Sequence, residues 1–145
     1  MATRPLSVKD RIAINDLLME YVYCNDTADF EGMVKIFTKD AVLKTGHDTY
    51  KNSEGIRHFA VSHGSQPNRG GRQHLYQTVQ VKQKGTGAVV RSYWMVVQST
   101  VANNAKFIRS MGYYDDHVVK VRGKWLIKSK VMGTWNDQTP PPARL

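Results

Sequence analysis

Among the side chains of the types that move protons are Tyr21, Asp26 and His74. Asp26 follows a run in which Ile14, Leu17, Leu18, Tyr21 and Val22 recur at helical spacing, which predicts a helix with one buried face. The carboxylate is therefore expected at the helix end, close to that buried face rather than far out on a surface loop. His74 opens an alternating stretch, and strand parity places Tyr76, Thr78 and Gln80 on its face. A polar-aromatic face of that kind suits a pocket wall better than a dry core. Tyr21, on the buried face of the helix, reads from its position as a tyrosine of the core. The plain alternative for the other two is that Asp26 caps a second helix and His74 is an ordinary strand histidine.

Other residues are candidates for contact with a bound molecule. Arg91 and Tyr93 share a strand face with Val89, Met95 and Val97, and either can point into a cavity; Arg91 can instead serve a subunit interface. Trp94, Phe107, Met111, Met132 and Trp135 are candidates for an apolar lining, each with a core reading beside it. Lys130 shares parity with Leu126, Lys128 and Met132, so a solvated face is expected for it. His47, His58, His63 and His117 fall in loops or on polar positions and read as surface residues. They show no metal-ligand spacing. Cys24 lies among apolar neighbours on the first helix and reads as a buried structural thiol, not a nucleophile.

Several elements must position these groups. Ser7 is the expected N-cap of the first helix, with Asp10 completing an acidic capping box, and the helix should run to about Cys24. Thr27 or Asp29 can cap a second helix that carries Phe30, Met33, Val34, Ile36 and Phe37. Ala41 to Lys44 and Asp48 to Lys51 read as short strands around Gly46. A third helix starts at Asn52-Ser53-Glu54-Gly55 and ends near His63-Gly64, and residues 65–71 form a polar, glycine-rich loop. From Arg72 the periodicity changes to that of strands: 72–83, 88–101, 106–121 and 124–135. Turn signals stand between them at Lys84-Gly85-Thr86-Gly87, at 102–105 and at Arg122-Gly123. Residues 136–145, with Pro140-Pro141-Pro142, form an extended arm. Helices first and antiparallel strands after them predict an α+β domain in which a strongly curved sheet wraps three helices.

A chain of 145 residues, 41% hydrophobic, is long enough to bury a core and is expected to be one domain spanning 1–145. It has no apolar run of about 18 residues, so no membrane span is expected. The stretch Met1 to Leu6 lacks an apolar signal core, which predicts a cytoplasmic protein. The net charge of +9 invites a nucleic-acid reading. Lys82, Lys84, Lys106, Lys120, Arg122, Lys124, Lys128 and Lys130 are spread, however, without a dense basic run, so a solvated basic surface is expected and no nucleic-acid partner. The strand 88–101 carries apolar or aromatic residues on both faces. One can line a cavity; the other then needs cover, which predicts a homodimer or homotrimer.

The order of these elements resembles SnoaL-like proteins of the NTF2-like superfamily. The resemblance is carried by the helix ending at Asp26, by Phe37-Thr38-Lys39-Asp40-Ala41, Ser53-Glu54-Gly55-Ile56 and Arg91-Ser92-Tyr93, and by Gly112-Tyr113-Tyr114-Asp115 with Gly123-Lys124-Trp125. It covers nearly the whole chain and implies the cone-shaped, cystatin-like α+β barrel with three N-terminal helices in a curved mixed sheet. Among NTF2-like lyases it is similar to scytalone dehydratase and hexachlorocyclohexane dehydrochlorinase, helped for the latter by Thr49-Tyr50-Lys51 with Glu54-Gly55. That similarity implies a pairing of Asp26 with His74: a carboxylate on one imidazole nitrogen fixes the tautomer, and the other nitrogen acts as base. It also implies Tyr21 as a donor to substrate, and it places Lys130 where the dehydrochlorinase has a pocket Arg, without the bidentate fork.

The expectation is thus a lyase or isomerase, without cofactor or metal, acting on a hydrophobic cyclic small molecule. Asp26, His74 and Tyr21 are its catalytic candidates; Arg91, Tyr93, Met111, Lys130 and Trp135 are its substrate-binding candidates. The alternative from another class is a small-ligand binding protein or the small partner subunit of an oxygenase.

Overall fold

In a computed structural model the chain is described over residues 5–140 and 142–145; Met1 to Arg4 and Pro141 of the proline run lie outside them. Helix α1 spans Val8–Asp26. Its start is fixed by the expected capping box: Ser7 Oγ accepts from the Asp10 N–H at 3.1 Å, and Asp10 accepts from the Ser7 N–H at 3.1 Å. Ile14, Leu17, Leu18 and Tyr21 form its buried face. The helix runs two residues beyond Cys24, so Asp26 is its last residue rather than part of the break. Helix α2 is shorter than expected, Phe30–Lys35, and it is capped by Asp29, whose carboxylate accepts from the Gly32 N–H at 2.8 Å. That observation removes the helix-capping role for Asp26 and for Thr27. Helix α3 spans Asn52–Gly64.

Six strands form one mixed sheet: β1 (Phe37–Lys44), β2 (Thr49–Lys51), β3 (Arg72–Lys84), β4 (Gly87–Ser99), β5 (Lys106–Val121) and β6 (Lys124–Thr134). Their order is β2-β1-β6-β5-β4-β3, parallel only between β1 and β6. Phe37, expected in the second helix, instead opens β1, where it pairs with Ile127. A partner 90 residues away in sequence decides its state, which no local pattern records. The inner face of the curved sheet holds Val90, Trp94, Tyr114, Val118, Trp125 and Ile127, closed against Ile14, Leu18, Tyr21, Ile56 and Phe59 from the helices. This is the expected α+β architecture.

One-residue bulges on β3, β5 and β6 break the alternation on which strand parity depends, and the β1–β6 pairing shifts as well between Phe37 and Val42. On β3 the pairing moves from Gln77↔Tyr93 to Gln80↔Arg91, one residue extra, with Thr78 at φ 50°. His74 and Tyr76 therefore face inward, opposite Val96 and Trp94, whereas Gln80 faces outward opposite Arg91. The expected grouping of Gln80 with His74 is corrected. On β5 Arg109 is the extra residue between Ile108↔Val97 and Ser110↔Val96. On β6 Lys128 is extra between Ile127↔Val118 and Ser129↔His117.

After β6 the chain turns at Asn136, whose side chain accepts from the backbone N–H groups of Gln138 and Thr139 at 2.8 and 2.9 Å. It then folds back on the outer sheet face, where the Leu145 N–H donates to Gln80 Oε1 at 3.2 Å and Arg91 donates to the Ala143 carbonyl. No helix among the described residues is long and apolar enough to cross a membrane.

Candidate active site

At the wide end of the sheet, between α1, α3 and strands β3 to β6, lies a cavity of about 170 Å³. His74 lines it. The Asp26 carboxylate sits behind the ring and holds it twice, with Oδ1 accepting from Nδ1 at 2.6 Å and Oδ2 from the His74 backbone N–H at 3.0 Å. Both side chains are largely buried, at 12% and 19% exposure. This geometry puts the proton on Nδ1 and leaves Nε2 as the nitrogen available to act as a base. α1 delivers Asp26 from its last turn, and β3 delivers His74 from its first residues.

Tyr21 is fully buried one turn and a half before Asp26 and also lines the cavity. Its ring packs edge-on to Phe37 and Tyr114, and its hydroxyl lies 3.9 Å from Met132 Sδ. Burial pushes the phenol well above its usual range, so Tyr21 keeps its proton and is suited to donate, not to abstract. Tyr114, on the inner face of β5, is raised in the same way and for the same cause. Gly112 has its own place here: a Cβ there would lie 2.7 Å from the Trp94 ring, so its absence lets that indole lie over β5 and form a wall. Trp94 Nε1 donates to the Tyr113 carbonyl at 3.0 Å, which fixes the ring.

Of the expected apolar lining residues, Trp94 and Met132 reach the cavity and are joined by Phe59 and Val96. The others lie elsewhere. Tyr93 and Trp135 pack together on the outer sheet face with ring centroids 4.9 Å apart, Met111 is opposite Met95 there, and Phe107 is exposed. Arg91 pairs with Asp115 at 2.9 Å on that same outer face. The substrate-contact expectation for Arg91, Tyr93, Met111 and Trp135 is thus corrected. Both faces of β4 are apolar, so the pattern could not say which one is inside, and the helices cover the face of Val90, Ser92, Trp94 and Val96.

Lys130 is corrected twice. It is on neither a solvated face nor the cavity wall, but fully buried beneath it. Its ammonium donates to both oxygens of Asp116 at 3.0 and 2.8 Å and to the Tyr76 hydroxyl at 2.8 Å. It also lies 4.2 Å from the Tyr21 ring centroid and 3.9 Å from that of Tyr114. Burial pulls Lys130 down and pushes Asp116 up, while their mutual attraction opposes both shifts. The Lys128 bulge turned this residue inward.

The sequence reading missed a second set. Arg69, from the 3-10 turn Arg69–Gly71, lines the cavity and donates to the Asn25 side-chain oxygen at 2.9 Å and to the Asn25 carbonyl at the end of α1. A cation there also complements the helix dipole. Arg72, Arg109 and His63 line the cavity too. His63 was expected on the surface. It is instead half-buried, its ring tilted against that of Phe59 with centroids 4.2 Å apart, and burial lowers its affinity for a proton. The polar loop 65–71 held no periodic signal that could have placed Arg69. Cys24 is buried, and its thiol is pushed up to about 11, chiefly by burial, as suits a structural role.

A model of the SnoaL-like domain matches residues 7–131. The chain belongs to the SnoaL-like family. No curated protein matches the sequence. Among solved structures it is similar to an NTF2-like protein with a cystatin-like fold from Novosphingobium aromaticivorans, at 18% identity and a TM-score of 0.78, covering 90% of this chain and 84% of that one. It is also similar to a candidate scytalone dehydratase from the same organism, at 21% identity and a TM-score of 0.75, covering 93% of each chain. A third is LinA, at 16% identity and a TM-score of 0.71, covering 89% and 88%. At these identities the likeness establishes the shared NTF2-like fold.

Proposed function

We propose that this SnoaL-like domain is a lyase or isomerase that works by proton transfer alone. The observation that carries the reading is the 2.6 Å contact of His74 Nδ1 with Asp26 at the wall of a ring-sized cavity. His74 Nε2 takes a proton from a carbon next to an electron-withdrawing group, and Asp26 stabilises the imidazolium. In an elimination the electron pair forms the new double bond, the adjacent C–O bond breaks, and the leaving hydroxyl takes a proton from the imidazolium. In an isomerisation the imidazolium returns its proton to a different carbon. Tyr21 supplies a hydrogen bond to the oxygen on which charge develops. Phe59, Trp94, Val96 and Met132 supply apolar contact for the body of a cyclic substrate.

Turnover of a substrate by purified variants tests the reading. General base catalysis contributes about two to four orders of magnitude, so His74→Ala should lose roughly that much. Tyr21→Phe keeps the ring packing and should cost less. A folded His74→Ala variant with full turnover would sink the acid-base role of His74 and place the chemistry elsewhere.

A further inference from the structure

The cavity wall carries charge of one sign. The guanidinium groups of Arg69, Arg72 and Arg109 supply it, the rings of His63 and His74 lie beside them, and among the described residues no carboxylate lines the cavity. Elsewhere in the molecule five cations sit with acids: Arg57 with Glu31, Arg91 with Asp115, Lys120 with Asp10, Lys128 with Asp40 and Lys130 with Asp116. Two of the cavity arginines have neutral partners instead. Arg72 donates to Gln66 Oε1 at 2.7 Å and to Gln98 Oε1 at 3.3 Å, and Arg69 donates to Asn25. Arg69 Nε is buried without a hydrogen-bond partner. Asp26 is the nearest acid, and it attracts Arg69, but both its oxygens are engaged by His74. Arg109 reaches the cavity because it is the extra residue of the β5 bulge, a device that re-aims a side chain. Arg69 and Arg72 are partly buried, and Arg109 is exposed at the rim and repels both, an arrangement that an anion among them would relieve; the planar fork of a guanidinium matches a carboxylate.

We infer that the cavity takes a small carboxylic acid, its ring or short chain against Phe59 and Trp94 and its carboxylate among Arg69, Arg72 and Arg109. The inference rests on the acid-base reading of the site and adds the substrate's charge to it. A volume of about 170 Å³ is close to that of an engineered cavity of about 150 Å³ that holds benzene, so one ring is the right size.

Calorimetric titration with benzoate, its neutral isostere benzamide, and inorganic phosphate tests this on the intact protein. Benzoate should bind on the order of tenfold more tightly than benzamide, since tenfold is only about 1.4 kcal/mol. The preference should weaken in Arg72→Gln and in Arg109→Gln, neither of which ties down a helix as Arg69 does, and in raised salt. Benzamide binding as well as benzoate, or no benzoate binding at millimolar concentration in low salt, would overturn the inference. Phosphate binding as tightly as benzoate would also overturn it, because the ring would then contribute nothing. Turnover is not measured here, so a failed charge preference leaves the acid-base reading standing. Conversely, full turnover by His74→Ala would remove that reading and leave the charge preference intact.

Discussion

Asp26 grips His74 by the ring and by the backbone at once, 2.6 Å from Nδ1 and 3.0 Å from the main-chain nitrogen. One carboxylate thus sets the tautomer and also anchors the first turn of β3 to the last turn of α1. Asp26→Asn separates the two duties. The amide oxygen can still accept from the His74 N–H, but the amide nitrogen is a donor and cannot accept from Nδ1–H. The imidazole should switch to the Nε2–H tautomer, read by nitrogen chemical shifts of the ring. Turnover should fall by about two to four orders of magnitude with little change in melting temperature. An unchanged tautomer in a folded variant would contradict this account.

The Lys130–Asp116 pair predicts a stability pattern. Lys130→Met leaves Asp116 buried without its cation and Tyr76 without its hydrogen bond, and should cost about 3–5 kcal/mol in urea unfolding. Adding Asp116→Leu removes the stranded charge and should recover most of that loss. A double variant as unstable as the single one would show that the Lys130 stem, rather than its charge, is what matters.

His63 makes stability depend on pH. Burial, with Arg69 and Arg72 nearby, keeps its folded-state affinity for protons below the ordinary value of 6.5. In the window below 6.5 the unfolded chain therefore binds more protons, and stability rises with pH. The contribution is fully present above 6.5 and is lost as pH falls from there towards the lower folded value. Urea midpoints measured across this window should slope upward with pH, and His63→Gln should flatten the slope. His117 is lowered by burial as well and keeps part of it.

The outer sheet face makes assembly testable. Ile108 and Met111 remain exposed at 53% and 40%, beside the half-buried strip of Tyr93, Met95 and Val97. We expect this face to be covered by a second copy of the chain. Light scattering at micromolar concentration should give two or three times 16.5 kDa; a monomer would exclude it.

The helices were legible because their signals are local. The capping box at Ser7 and Asp10, the spacing of Ile14 to Tyr21 and the Asn52 start of α3 all lie within a few residues of what they specify. The faces of the strands were not, because inside and outside swap wherever one residue is inserted. Thr78, Arg109 and Lys128 stand at those insertions, and the misplaced Gln80 and Lys130 lie just beyond two of them. Asp26 and His74 are 48 residues apart. Nothing in their own neighbourhoods pairs them, so only the resemblance to a family brought them together. Arg69 and Arg72 come from a loop and a strand end, where polarity alone cannot distinguish a cavity mouth from open surface.

The extra residue at Lys128 gives the last strand something like a reading frame. Ahead of it the inward residues are Trp125 and Ile127; after it they are Lys130 and Met132. Deleting Lys128 would restore an uninterrupted period of two and leave Lys130 and Met132 facing inward, whereas straightening the strand without removing a residue would turn Lys130 out to solvent, strand Asp116 and take Met132 from the cavity wall. Lys128 itself is partly exposed and pairs only with Asp40, so replacing it should matter little. For this sheet the kinks are therefore the places where the loss of a single codon leaves the inward set of side chains unchanged.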